Sequence, residues 1–209
     1  MSRARAVKQQ AIRQRLSADE RRERIVAATL SCLARHRPED WTLRQVARDL
    51  GVAPSLVTYF FATWNDLLVS AYRTLSNHFQ TEVARIEGAE TDGRARLDAI
   101  VELYLGEGAL GETAGAYVAL GAFARQEPRL RAEMTAYSET AQAAFASALA
   151  GYARERSLAS DHSATVQALY VLLEGFWYDM AVNPSRLSPA AARASLWAFL
   201  DAALYTGRR

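Results

Sequence analysis

The side chains that could do covalent chemistry in this chain are spaced against it. Glu174 and Asp179 come nearest to a carboxylate pair, but five residues of helix set them about 140° apart. His36, His78 and His162 are scattered without metal-ligand spacing. There is no glycine-rich phosphate loop and no nucleophile elbow. Neither enzymatic activity nor a cofactor nor a metal is expected. The spacing does support recognition chemistry, in hydroxyls and guanidiniums on short helices and in aromatic rings on longer ones.

The stretch Thr42–Phe61, TLRQVARDLGVAPSLVTYFF, carries the first of these. Thr42 and Gln45 have the spacing of a capping box. Leu43, Val46, Ala47 and Leu50 recur at helical spacing, and Ala47 is small where two helices must cross closely. Gly51 suits a turn that needs positive φ, and Pro54 suits the first turn of the next helix. Val57 and Phe60 give that helix an apolar face. The pattern is that of a helix-turn-helix, whose second helix enters the DNA major groove. On that helix Ser55, Leu56, Thr58 and Tyr59 are the candidates for base edges, and Arg44 is a further candidate. Thr42, Tyr59 and the helix N-termini are suited to phosphates.

The elements that position these residues read as helices throughout. Ser17 and Glu20 make a second capping box, opening a helix to about Arg35 with Ile25, Ala28, Thr29, Cys32 and Leu33 inward. Thr63 and Asp66 open a long helix from about Trp64 to Ile86. Helices are expected over about 94–105, 113–125, 128–156, 161–182 and from Ser188 onward, where Pro189 sits in the first turn. The expectation is an all-α chain of about nine helices. It divides into a basic arm (1–16), a helix-turn-helix domain (17–65) and an effector-binding and dimerisation domain (66–209).

Charge follows the same division. Residues 1–60 hold twelve basic and six acidic side chains, a net of +6, and the rest hold thirteen against seventeen, a net of −4. A basic head on a mildly acidic body suits a protein that docks one end on phosphates. Half of the 209 residues are hydrophobic and 23% are charged, and no apolar run approaches the roughly 20 residues that span a bilayer. The basic N-terminus has no apolar leader region, and the single cysteine, Cys32, sits among apolar neighbours as a small buried side chain. A cytoplasmic location is expected, with no membrane partner.

A helix-turn-helix within the first 65 residues followed by a helical body resembles the TetR family of bacterial transcriptional repressors. The residues that carry the resemblance are Ile25 to Ala28, Thr42 with Val46–Ala47, Leu50–Gly51–Val52, Tyr59, Phe61 and Leu67–Leu68. Leu173–Glu174–Gly175–Phe176–Trp177 followed by Ala181 looks like the C-terminal domain of the choline-responsive, betaine-pathway repressors. The resemblance implies a homodimer that pairs its last two helices. Here the apolar stripes are Val166, Leu169, Tyr170, Leu173, Trp177 and Met180 on one helix and Leu196, Phe199, Leu200 and Leu204 on the other, and each stripe could equally be monomer core. The family often has a phosphate-contacting lysine where this chain has Trp64, whose indole N–H donates without a charge. Arg44 and Arg48 could compensate.

The function implied is a ligand-responsive regulator that binds double-stranded DNA at a pseudo-palindromic site and is released by a small molecule. The body has aromatic residues for such an effector in Tyr104, Tyr117, Phe123, Tyr137, Tyr170, Trp177 and Tyr178, with Glu174 as a counter-charge. An aromatic cage binds quaternary ammonium at roughly 0.5–2 kcal/mol per cation–π contact. The effector is therefore cationic, or else hydrophobic or aromatic. The alternative reading is a helical protein–protein adaptor that offers its basic head to an acidic partner.

Overall fold

A computed structural model describes residues 17–89, 92–106, 112–158 and 162–205. The expected basic arm, residues 1–16, lies outside them. The described residues form nine α-helices and no strand: α1 (Ala18–Arg35), α2 (Leu43–Leu50), α3 (Pro54–Phe60), α4 (Trp64–Glu87), α5 (Gly93–Leu105), α6 (Glu112–Ala124), α7 (Pro128–Glu155), α8 (Ser163–Val182) and α9 (Pro189–Tyr205). The chain divides into two compact units between Ala71 and Tyr72, inside α4. No described helix is long and apolar enough to cross a membrane.

Local chemistry fixes the helix starts. Ser17 Oγ accepts from Glu20 N at 3.1 Å while Glu20 Oε2 accepts from Ser17 N at 2.7 Å, a complete capping box. Thr63 and Asp66 make the same exchange at the head of α4, at 3.1 Å each way. Ser188 Oγ accepts from Ala191 N at 3.2 Å at the head of α9. The box expected at Thr42 is half made. Thr42 Oγ1 accepts from Gln45 N at 3.2 Å, but the Gln45 side chain does not reach back. Its Oε1 accepts from Arg48 Nη1 at 2.8 Å and its Nε2 donates to Asp49 Oδ1 at 2.7 Å, while Thr42 N donates to the Asp40 carbonyl at 2.8 Å.

In the first unit α1 packs on α2 and α2 on α3. Ile25, Val26, Cys32, Leu33, Val46, Ala47, Val57 and Phe61 form its core. Phe61 is buried whereas Phe60 is half-buried, so the apolar anchor falls one residue later than the spacing suggested. Arg22 closes this corner: its Nη1 donates to the Phe60 carbonyl at 3.1 Å and its guanidinium lies 4.2 Å over the Phe61 ring. Gly51 ends α2 at φ +65°, with Val52 N donating to Ala47 O at 3.0 Å.

In the second unit α5 and α7 make the most extensive contact. Gly93 sits against Gly151 and Tyr152, and a Cβ there would overlap their backbone. Leu97, Ile100, Val101, Leu105, Phe145, Leu149, Leu169, Leu173, Leu196 and Leu200 fill the core between α5, α7, α8 and α9.

These two glycines carry different loads. A Cβ on Gly51 meets nothing within 4 Å, so Gly51→Ala should cost only the left-handed backbone penalty of about 1–2 kcal/mol. Gly93→Ala must move backbone and should cost more. Thermal unfolding of both variants beside the parent measures this; equal losses would contradict the close approach at Gly93.

Candidate nucleic-acid interface and ligand cavity

Trp41, Thr42, Leu43, Arg44, Pro54, Ser55, Thr58 and Trp64 line one open hollow in the first unit. Five of the eight residues expected at DNA are therefore together: Thr42, Arg44, Ser55, Thr58 and Trp64. They come from the first turn of α2, the exposed side of α3 and the start of α4. The N-terminus of α2 opens here, with its positive dipole end and the exposed Arg44 guanidinium. Thr58 Oγ1 donates to the Ser55 carbonyl at 3.2 Å within the helix.

The other three lie outside the hollow. Arg48 donates from Nη1 to Gln45 Oε1 at 2.8 Å, so α2's own side chains hold it. Leu56 is half-buried. Tyr59 is 81% exposed and meets Phe60 edge to face at 5.2 Å. Apart from that contact the ring stands in solvent, so α3 presents a large aromatic side chain at its surface.

The second unit holds a cavity of about 450 Å³ among α4, α5, α6, α7 and α8. Tyr72, Tyr104, Tyr117, Tyr137, Phe79 and Trp177 line it, together with Glu174. The rings touch in a continuous series. Trp177 meets Tyr117 at 4.8 Å between centroids, Tyr117 meets Tyr72 at 5.9 Å, and Phe79 meets Tyr137 at 4.7 Å and Tyr104 at 5.2 Å. The contacts are edge-on or tilted, the arrangements aromatic pairs prefer.

Five residues expected at the effector thus share one cavity: Tyr104, Tyr117, Tyr137, Glu174 and Trp177. Three do not line it. Phe123 lies on α6 away from the wall, because α6 turns only Tyr117 to it. Tyr170 stands behind the wall, where its hydroxyl donates to Ser138 Oγ at 2.8 Å. Tyr178 is 56% exposed on the outer side of α8. Sequence reasoning missed Tyr72, Leu75, Ser76 and Phe79. Their spacing of three, four and seven residues is one helical face of α4, and that periodicity was the available signal.

The electrostatics centre on Glu174. Two other carboxylates at the cavity are neutralised, Glu102 by Arg193 at 3.0 Å and Glu82 by Arg85 at 2.9 Å. No basic side chain among the described residues pairs with Glu174. Burial holds its carboxyl above the ordinary range, with the Tyr170 hydroxyl pulling the other way. Burial pushes the hydroxyls of Tyr72, Tyr104, Tyr117 and Tyr137 upward, and that of Tyr170 up to about 12, with the Glu174 charge adding to each. The phenols therefore stay neutral. The Tyr72 and Tyr104 hydroxyls are buried beside those of Tyr117 and Tyr137, without a well-formed hydrogen bond among the described residues.

A raised carboxyl binds its proton more tightly folded than unfolded. Its contribution to stability is complete below the unfolded value and is lost as pH rises through the folded one. The parent should therefore lose stability as pH climbs above the ordinary carboxylate range, and Glu174→Gln should lack that loss. Thermal unfolding across mildly acidic to neutral pH measures the difference; identical slopes would contradict a strained carboxylate.

Residues 93–205 match the family model described as BetI-type transcriptional repressor, C-terminal. No curated protein matches the chain. The fold is similar to that of a TetR transcription regulator from Haloarcula marismortui, at 20% identity over 89% of this chain and 99% of that one, with a TM-score of 0.79. A protein from Pseudomonas aeruginosa described as a transcriptional regulator is 23% identical over 90% of this chain and 91% of its own, with a TM-score of 0.78. Another so described, from Saccharomonospora viridis and solved in complex with choline, is 21% identical over 88% of this chain and 96% of its own, with a TM-score of 0.77.

Proposed function

The chain belongs to the TetR family of transcriptional regulators, in its BetI-type branch, and from that premise we propose a homodimeric repressor released from its operator by a small organic cation of the quaternary ammonium kind. The observation that carries the cation is Glu174: a carboxyl without a basic partner among the described residues, in a wall of aromatic rings. A neutral guest would leave that charge uncompensated, whereas a cation offsets it and meets ring faces at the same time. The choline complex of the Saccharomonospora viridis protein supports the same ligand class.

DNA contact is assigned to the hollow of Thr42, Arg44, Ser55, Thr58 and Trp64, with Tyr59 beside it. Arg44 supplies the charge that Trp64 does not. The remaining hydroxyls and the α2 N-terminus supply neutral donors to phosphates.

The dimer is assigned to the outer faces of α8 and α9. The stripes first considered for it, Val166 to Met180 and Leu196 to Leu204, pack inward: Val166, Leu169, Leu173, Met180, Leu196, Leu200 and Leu204 are buried within the monomer. Left outward on α8 are Val171, Gly175, Tyr178 and Val182, spaced four, three and four residues apart. On the adjacent α9 Ala191, Ser195, Ala198 and Ala202 repeat that spacing with small side chains. A large apolar stripe beside a small one lets two helix pairs approach closely. Tyr178→Glu should split the dimer, read as halved mass by light scattering; an unchanged mass would place the interface elsewhere.

The function is tested by titrating the protein against the duplex flanking its own gene, with a scrambled duplex beside it, at two salt concentrations. Binding should favour the native duplex, and Arg44→Ala should lower the salt slope by about 1. Choline should weaken the native complex about fivefold or more. Glu174→Gln should bind DNA as the parent does and lose the response. Equal, salt-labile binding to both duplexes would overturn the repressor reading. A choline response kept in Glu174→Gln would overturn the role of the carboxylate.

A further inference from the structure

We propose that Cys32, His36 and Asp49 form a binding site for a divalent transition-metal ion, zinc above all, within the DNA-binding unit. The thiol sulfur, the imidazole nitrogen and the carboxylate oxygen lie within 4.8 Å of one another. Cys32 and His36, four residues apart, share a face at the end of α1, and α2 brings in Asp49. His36 Nε2 already stands 3.0 Å from Asp49 Oδ2. The histidines alone show no metal-ligand spacing along the chain; the third ligand arrives only when α2 packs on α1.

The donor set selects the metal. A thiolate and an imidazole with one carboxylate suit zinc and its neighbours, and a thiolate is a poor ligand for calcium or magnesium. In a tetrahedral site with bonds of about 2.0–2.3 Å, ligand atoms stand about 3.3–3.7 Å apart. The triangle therefore has to contract by about an ångström at its widest edge, within the reach of side-chain rotation. Cys32 is fully buried, whereas His36 and Asp49 side chains are 34% and 30% exposed, so a metal reaches the sulfur past them. Water fills the fourth position. Gln45 lies beside the site, its Nε2 3.5 Å from His36 Nε2 and hydrogen-bonded to Asp49 Oδ1.

The site bears on DNA through Gln45. That side chain connects Asp49, on the metal side, to Arg48, on the outer side of α2. A metal replaces the direct His36–Asp49 bond with three ligand bonds, two from the end of α1 and one from α2. The joint that presents α2 to a phosphate is stiffened by the change. Uptake displaces the thiol proton, since the thiolate is the ligand.

The alternative is that the His36–Asp49 bond is the whole of the cluster and the thiol beside it is passive packing. Cobalt separates the two. Full-length protein, stripped with a chelator, is titrated with Co²⁺ and then with Zn²⁺. One Co²⁺ per chain is expected, with a thiolate-to-cobalt charge-transfer band and the intense visible bands of a tetrahedral site, displaced by Zn²⁺. His36→Gln and Asp49→Asn should each weaken binding by about tenfold or more at unchanged helix content. Cys32→Ser should abolish the charge-transfer band; if that variant does not fold, the other two decide. Absence of the band in the parent, or affinity unchanged in either His36→Gln or Asp49→Asn, overturns the proposal.

Discussion

A carboxyl set among aromatic rings with no basic partner among the described residues is costly to ionise, and the second unit is arranged around that cost. Moving a charge out of water without a counter-charge is among the largest penalties a fold can carry. Glu174 sits in that position while the acids at the same cavity, Glu82 and Glu102, each have an arginine. Five helices contribute to its surroundings, and the rings on them touch one another rather than collapsing on the carboxylate. The phenols around it are held neutral by burial and by the charge itself. The result is an unpaired carboxyl lined with aromatic rings, a setting in which a cation favours the charged form and meets the rings at the same time.

A ligand of this kind acts on DNA only as far as it prefers one conformation over another. The covalent route for such a preference is α4. This helix begins with Trp64 in the hollow of the first unit and continues through Tyr72, Ser76 and Phe79 in the cavity wall of the second. Its start is pinned by the reciprocal bonds of Thr63 and Asp66, and Phe61 just before it is clamped by Arg22. Whatever change in affinity the ligand imposes on DNA, DNA must impose on the ligand.

Features that depend on a few neighbouring residues were legible in the chain. The boxes at Ser17 and Thr63, the cap at Ser188, the left-handed turn at Gly51 and the order of the nine helices among the described residues follow from local hydrogen bonding and periodicity. So did the gathering of Thr42, Arg44, Ser55, Thr58 and Trp64, because α2 and α3 are joined by a tight turn. Features set by distant packing were not legible. Gln45 turned away from its cap because Arg48 takes its oxygen and Asp49 its amide N–H. The cavity's α4 wall was missed because that helix reads as a plain amphipath until α5 to α8 fold against one side of it. Tyr178 and Tyr170 share a helix with Trp177, yet a rotation of 100° per residue puts one outside and one behind the wall. The apolar stripes on α8 and α9 fitted either core or interface, and only the burial of Leu169, Leu173, Leu196 and Leu200 decided it.

The account turns on charge recognition at Glu174, and calorimetry on a matched ligand pair tests it most directly. Choline and its neutral isostere, in which carbon replaces the quaternary nitrogen, have the same shape and differ by one charge. The account predicts that choline binds about tenfold tighter or better, a difference of about 1.4 kcal/mol or more. Equal affinity, or a preference for the neutral isostere, would contradict it and would make the cavity a site for apolar guests.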